Sequence, residues 1–185
     1  MEAFVYVATR PGKVEDVYAQ IKASKGVRHA DIVVGDWDIL VSVFGPDLPA
    51  IALDVLRSIH RIEGVARTMT TPVVPPDVIG LAGGGLVAVP MQRSGEACFV
   101  RIRTVPEKTT HVFEQLAEMD EVAGVALVAG EDDMVVEIPH PWNDSAQLVL
   151  EQILGIEGVL STSTLVALPP LPAEDEDRDQ FSAWS

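Results

Sequence analysis

The chain is poor in basic residues: its 185 positions hold 13 lysines and arginines against 28 acids, for a net charge of -15. That balance excludes a duplex-binding surface, which draws its affinity from cations that displace counterions around phosphates. Arg57, Arg61 and Arg67 come nearest to a basic stripe, and flanking acids interrupt it. Cysteine is almost absent as well. The lone Cys98 cannot close an internal disulfide, and its setting, ACFVRI, reads as a strand in which it is a small buried apolar side chain. There is no long hydrophobic run, since the most apolar stretch, Val78 to Val89, contains four glycines and is too short to span a bilayer. The first residues, MEAFVYVATR, lack the basic region, apolar core and cleavage site of a signal peptide. A cytoplasmic protein with neither a membrane nor a nucleic-acid partner is expected. What is present in quantity is apolar: 48% hydrophobic residues, enough for one core or two small ones, which excludes a disordered chain.

Constellations that carry catalysis or bind metals are also missing. His29, His60, His111 and His140 are scattered and form no zinc-binding spacing. Glu131-Asp132-Asp133 offers carboxylates suited to a hard cation, but three acids in a turn are explained by solvation alone. The glycines between Gly80 and Gly85 lack the lysine and hydroxyl residue of a phosphate loop, and Ser24, Ser42, Ser58 and Ser94 have no nucleophile-elbow context. No catalytic residue, metal or cofactor is expected.

The strongest positive signal is an internal repeat. At an offset of 95, Phe4 matches Phe99, Pro11 matches Pro106, Lys13 matches Lys108, Val17 matches Val112, Gly35 matches Gly130 and Asp38 matches Asp133. One deletion changes the offset to 94, after which Ile59, Ile62, Glu63, Gly64 and Val65 match Ile153, Ile156, Glu157, Gly158 and Val159, and Thr68 and Thr70 match Thr162 and Thr164. Each copy alternates β-branched runs with helical stripes. In the first, strand signals over Phe4 to Ala8, Val27 to Val34, Ile39 to Phe44 and Ala66 to Val73 flank helical stripes at Val14, Val17, Tyr18, Ile21 and at Leu48, Ile51, Ala52, Val55, Leu56, Ile59. The second copy repeats the order, with helices expected over Thr109 to Met119 and Asn143 to Leu154. The pattern is βαββαβ twice, an α+β chain in which each unit lays two helices on one face of a four-stranded antiparallel sheet. Strand residues are apolar on both faces, as in Ile32-Val33-Val34 and Met134-Val135-Val136, so the second sheet face needs a cover. The expected cover is the other copy, the two sheets packing face to face as an internal pseudo-dimer.

Four segments follow: a first unit over 1–74, a Gly/Pro-rich connection over 75–96, a second unit over 97–169 and an acidic tail over 170–185. The connection is too apolar for an ordinary solvated linker and is expected to pack over a seam or form a short edge strand. The tail is expected to be mobile.

The Pro-Gly-Lys after the first strand, the Val-Val-Gly-Asp-Trp-Asp-Ile hairpin and the Ile-x-Gly-Val-x-x-Thr-x-Thr ending resemble the ligand-binding, or RAM, domain of the Lrp/AsnC (leucine-responsive regulator) family. Both copies carry the resemblance, over about 145 of the 185 residues. It implies ferredoxin-like αβ sandwiches, sheet-mediated dimers, larger oligomers, and amino-acid-like effectors bound near the hairpin at subunit contacts. Carried across, that site falls on Gly35, Asp36, Asp38, Thr68 and Thr70 in the first copy and on Gly130, Glu131, Asp133, Thr162 and Thr164 in the second. A glycine there exposes backbone N–H groups, and an aspartate holds an α-ammonium group or caps its own turn; the threonines are equally ordinary strand formers. The copies differ where Trp37, Asp36 and Gly12 are replaced by Asp132, Glu131 and Glu107, so two unequal pockets are expected. Family regulators place a helix-turn-helix ahead of this domain, whereas here Met1 leads almost directly into the first strand. Haem-pathway decarboxylases resemble the family too, and generally keep a helix-turn-helix-like part. The expectation is therefore a non-enzymatic effector-sensing and oligomer-forming protein without a DNA-reading module. The alternative is an interaction module that joins Lrp/AsnC-type regulators without an effector.

Overall fold

A computed structural model describes residues 1–80 and 96–169; the expectations for the glycine-rich crossing and the acidic tail fall largely or wholly outside these residues. The first unit runs β1 (Glu2–Thr9), α1 (Val14–Lys22), β2 (Val27–Val34), β3 (Ile39–Phe44), α2 (Leu48–Arg57) and β4 (Val65–Val74). The second runs β5 (Cys98–Thr104), α3 (Thr109–Ala117), β6 (Gly124–Val128), β7 (Met134–Ile138), α4 (Trp142–Glu151) and β8 (Val159–Ala167). Both are βαββαβ, as the repeat implies. Local chemistry sets the boundaries. The Asp47 carboxylate accepts a hydrogen bond from the Ala50 N–H at 2.8 Å, and a proline follows in the first turn, which starts α2. Both α2 and α4 give way to a 3-10 turn, at Ile59–Arg61 and Ile153–Gly155, so these helices end earlier than their apolar stripes suggest.

Alternation along the strands sorts the side chains into three cores. In β1, Ala3, Val5 and Val7 pack beneath α1 and α2 with Ile21, Ile51 and Val55, while Phe4 and Tyr6 point the other way. In β5, Cys98, Val100 and Ile102 pack beneath α3 and α4, while Phe99 points the other way. The central core is common property: Phe4, Tyr6 and Leu40 of the first unit meet Phe99, Val135 and Leu165 of the second. Cys98 is fully buried, as expected of a small apolar side chain.

The expected pair of separate sheets is corrected in one respect. Every ladder is antiparallel, but the strands close into one eight-stranded barrel in the order β1-β3-β2-β8-β5-β7-β6-β4. The junctions are short. Val33 and Val34 of β2 pair with Ala167 and Val166 of β8, and Val73 and Val74 of β4 pair with Val128 and Leu127 of β6. Unpaired edge strands leave N–H and C=O groups without partners, and here each junction satisfies the ends of two such edges through two residue pairs. Among the described residues no helix is long and apolar enough to cross a membrane.

The repeated Gly-Val before each last strand has a steric cause. Gly64 and Gly158 adopt φ of +103° and +105°, and their carbonyls accept from the N–H groups of Arg10 and Val105 at 2.7 and 2.8 Å. A Cβ on Gly158 would overlap Lys108 Cβ, whereas one on Gly155 meets nothing within 4 Å. Gly158→Ala should therefore lower unfolding stability in urea by about 2–4 kcal/mol, from left-handed strain plus overpacking. Gly155→Ala should change it by less than about 0.5 kcal/mol, as an open site does; equal effects would refute the steric reading.

Candidate functional site

The two hairpins are built alike. Val33 N–H donates to the Asp38 carbonyl and Val128 N–H to the Asp133 carbonyl, each at 2.9 Å. The Asp38 carboxylate turns back to the end of β1, accepting from the Thr9 N–H at 2.7 Å and the Thr9 hydroxyl at 3.1 Å. Asp133 does the same with Thr104, at 2.7 and 3.2 Å. One oxygen of each aspartate is thus committed to anchoring its hairpin. The glycines matter for a different reason: a Cβ on Gly35 would lie 2.6 Å from Leu165 Cδ2, and one on Gly130 would lie 3.1 Å from Thr71 Cγ2. Each hairpin crosses closely over the other unit's last strand.

That crossing carries Asp36 to Arg101. Arg101 comes from β5, is 6% exposed, and its Nη2 donates to Asp36 Oδ2 at 2.5 Å and to Ser163 Oγ at 3.1 Å. Its guanidinium lies over the Tyr6 ring, 5.3 Å from the centroid. Asp132 also approaches, with Oδ2 3.6 Å from Nε, close enough for an ion pair but too far for a hydrogen bond, so the buried Nε has no acceptor among the described residues. One buried cation is balanced by carboxylates from both units. Burial raises the Asp132 carboxyl above its ordinary range and outweighs the opposing pull of Arg101; burial likewise raises the Tyr6 phenol.

Beside Arg101 opens a cleft of about 480 Å³, lined by Arg101, Arg103, Glu131, Asp132 and Ser161 to Ser163. Arg103 is exposed there and has no hydrogen-bond or ion-pair partner among the described residues.

The residues carried over from the family pattern therefore separate. Glu131 lines the cleft, Thr162 borders it between Ser161 and Ser163 with its side chain on the opposite sheet face, and Asp36 reaches it through Arg101. Gly35 and Gly130 permit the hairpin crossings, and Asp38 and Asp133 anchor the hairpins. Thr68, Thr70, Thr162 and Thr164 stand opposite Val7, Val5, Ile102 and Val100, residues of the helix-covered cores, so all four side chains lie on the sheet face away from Arg101. Thr68 bonds His60 at 2.5 Å on that face. Reading by residue type missed Arg101, Arg103, Asp132, Ser161 and Ser163. The signal was parity: Phe99, Arg101 and Arg103 alternate on one face of β5, and Ser163 and Ser161 pair with those arginines on β8. Among the described residues, no group of three histidine, cysteine or acidic side chains is placed to hold a metal ion.

A family model for the Lrp/AsnC ligand binding domain matches residues 2–75 and again 97–173. The chain belongs to that family and carries its domain twice. Among solved structures, FFRP-DM1 is 30% identical, with 40% of this chain and 99% of that one covered and a TM-score of 0.38. TTHA0845 from Thermus thermophilus is 29% identical, with 37% and 86% covered and a TM-score of 0.36. The siroheme decarboxylase NirDL is 10% identical, with 90% of this chain and 71% of that one covered; its TM-score of 0.66 shows a shared fold across both units. No curated protein sequence matches the chain.

Two outcomes follow from the hairpin chemistry. Asp38→Ala and Asp133→Ala should each cost about 1–3 kcal/mol of stability in denaturant unfolding, because a part-buried backbone N–H loses its acceptor. Asp132 titrates in the opposite sense from a stabilising carboxylate. With its folded pKa raised, the folded chain holds that proton more tightly than the unfolded chain, so its contribution falls as pH rises from the ordinary carboxylate range through the raised value. Asp132→Asn should remove that fall, its melting temperature gaining on the parent's across this window; parallel curves would exclude it.

Proposed function

We propose that this chain is a non-enzymatic, cytoplasmic sensor of a small amino-acid-like effector, and that it oligomerises within a regulatory family. The observation that carries the reading is the cleft beside Arg101. It gathers an exposed guanidinium, Arg103, with Glu131, Asp132 and the hydroxyl-bearing Ser161 and Ser163. An α-carboxylate seated on Arg103 and an α-ammonium facing Asp132 or Glu131 would complement those charges. Burial raises the Asp132 carboxyl, and a cationic group seated beside it would favour its ionised form. Asp38 and Asp133 support the site as hairpin anchors, and the threonine faces are secondary. The remaining organisation is read as units over 1–74 and 97–169, a connection over 75–96 and a tail over 170–185, with the two units acting as a pseudo-dimer whose sheets face each other. Membership of a ligand-binding-domain family supports the same reading.

The second reading, an interaction module without an effector, draws on one observation: Trp142, Leu150 and Leu154 are exposed along α4 and the turn after it. Capture of a helix-turn-helix relative that is indifferent to cleft substitutions would favour it.

Thermal unfolding against the common amino acids tests the first reading. A ligand present at 100 times its dissociation constant stabilises by about 2.7 kcal/mol, and Arg103→Gln, at an exposed position, should abolish that gain while leaving the unliganded melting temperature within about 1 °C. Stabilisation that survives Arg103→Gln would place the effector elsewhere.

A further inference from the structure

We infer that the duplicated site has diverged, the first copy being filled by the chain's own Trp37, so that each chain takes one ligand, a small polar zwitterion, at the cleft beside Arg101. This rests on the effector reading and adds stoichiometry and ligand class to it.

The repeat supplies the comparison. Offsets of 95 and 94 set Arg101 against Tyr6, Arg103 against Ala8, Asp132 against Trp37, Ser161 against Arg67 and Ser163 against Met69. Equivalent backbone positions thus hold charged and hydroxyl groups in the second copy and mostly aromatic and apolar groups in the first. Trp37 is 6% exposed, with its ring 5.9 Å from that of Tyr6 in a tilted pair. Arg67 closes the stack from outside, its guanidinium 4.2 Å from the Trp37 centroid. Ala8 and Met69 pack against the same cluster. An indole occupies the volume of a small effector, and displacing it would return the largest side chain of this cluster to water.

The second copy has exchanged this filling for polarity. Apart from Thr162, whose hydroxyl lies on the opposite sheet face, the residues lining its cleft are charged or are serines. A leucine- or phenylalanine-like side chain would desolvate these groups without pairing them. Arg101 borders the same cleft with its guanidinium already held by Asp36 and Ser163, which leaves the exposed Arg103 as the cation a ligand carboxylate would meet.

Equilibrium dialysis of the intact chain tests the inference, with labelled L-lysine, L-glutamine, L-serine, L-leucine and L-phenylalanine as probes. At least one polar probe should saturate at one equivalent per chain and lose tenfold or more in affinity in Arg103→Gln, and the apolar probes should not saturate. A fluorescence arm needs no ligand. In a chain carrying Trp142→Phe and Trp184→Phe, Trp37 should be shielded from acrylamide, and adding Arg67→Ser should raise its quenching severalfold. Two equivalents in the parent chain, saturation by leucine or phenylalanine, or a freely quenched Trp37 would overturn the inference and leave the effector reading standing. No binding of any probe, with Trp37 shielded, would overturn the effector reading together with the one-ligand claim.

Discussion

Each four-stranded sheet has helices on only one face, and the exposed apolar surface left on the other face is the constraint from which the rest follows. Phe4, Tyr6 and Leu40 cannot be covered by α1 or α2, which already bury Val5, Val7 and Val41 on the opposite side. The second copy presents the matching residues Phe99, Val135 and Leu165, and a shared core results. Joining β2 to β8 and β4 to β6 then ties together, at two residue pairs each, the ends of edges that two stacked sheets would leave apart. Burial of one face and satisfaction of the edges reinforce each other, because the strands that pair across the seam also border the shared core.

Closure decides where the hairpins go. Once β2 pairs with β8, the turn after Val34 must pass over the second unit, and Gly35 is there because Leu165 leaves no room for a Cβ. Asp36 thereby reaches a cation in the other copy. Fusion of two copies permits a further step that a symmetric dimer forbids. Tyr6 and Arg101 occupy equivalent positions and touch each other, so a dimer of identical units would set two arginines or two tyrosines together. In the tandem the ring receives the cation, and the charge is balanced by Asp36 from one unit and Asp132 from the other. The polar cleft is an outgrowth of that broken symmetry.

The elements themselves were legible in the sequence. β2 and β3 fall where the β-branched runs and the Gly-Asp-Trp-Asp turn place them, and the Ile-x-Gly-Val endings mark the left-handed glycines that precede β4 and β8. The site was legible only in part. Asp38 and Asp133 look like ligand groups by type and position, yet each has a threonine of its own unit at the end of a neighbouring strand, a pairing set by register between segments 29 residues apart. The threonines carry the family's signature but have the wrong parity for the shared face, while Ser161 and Ser163, one position away on either side of Thr162, have the right one. Arg101 lies in an apolar strand and alternates with Phe99 on a buried face, and a buried arginine requires a partner.

By itself the sequence determined the duplication, the βαββαβ order, the apolar faces and the excess of acid that argues against nucleic acid, since these are properties of local pattern and composition. Only the tertiary structure decided how the faces were covered, which carboxylate met which cation, and where the polar cleft opens. Those outcomes depend on register and on the approach of residues far apart in the chain. Trp37 against Asp132 was visible as a substitution; that one is buried under Arg67 while the other borders a cleft beside Arg101 follows from packing.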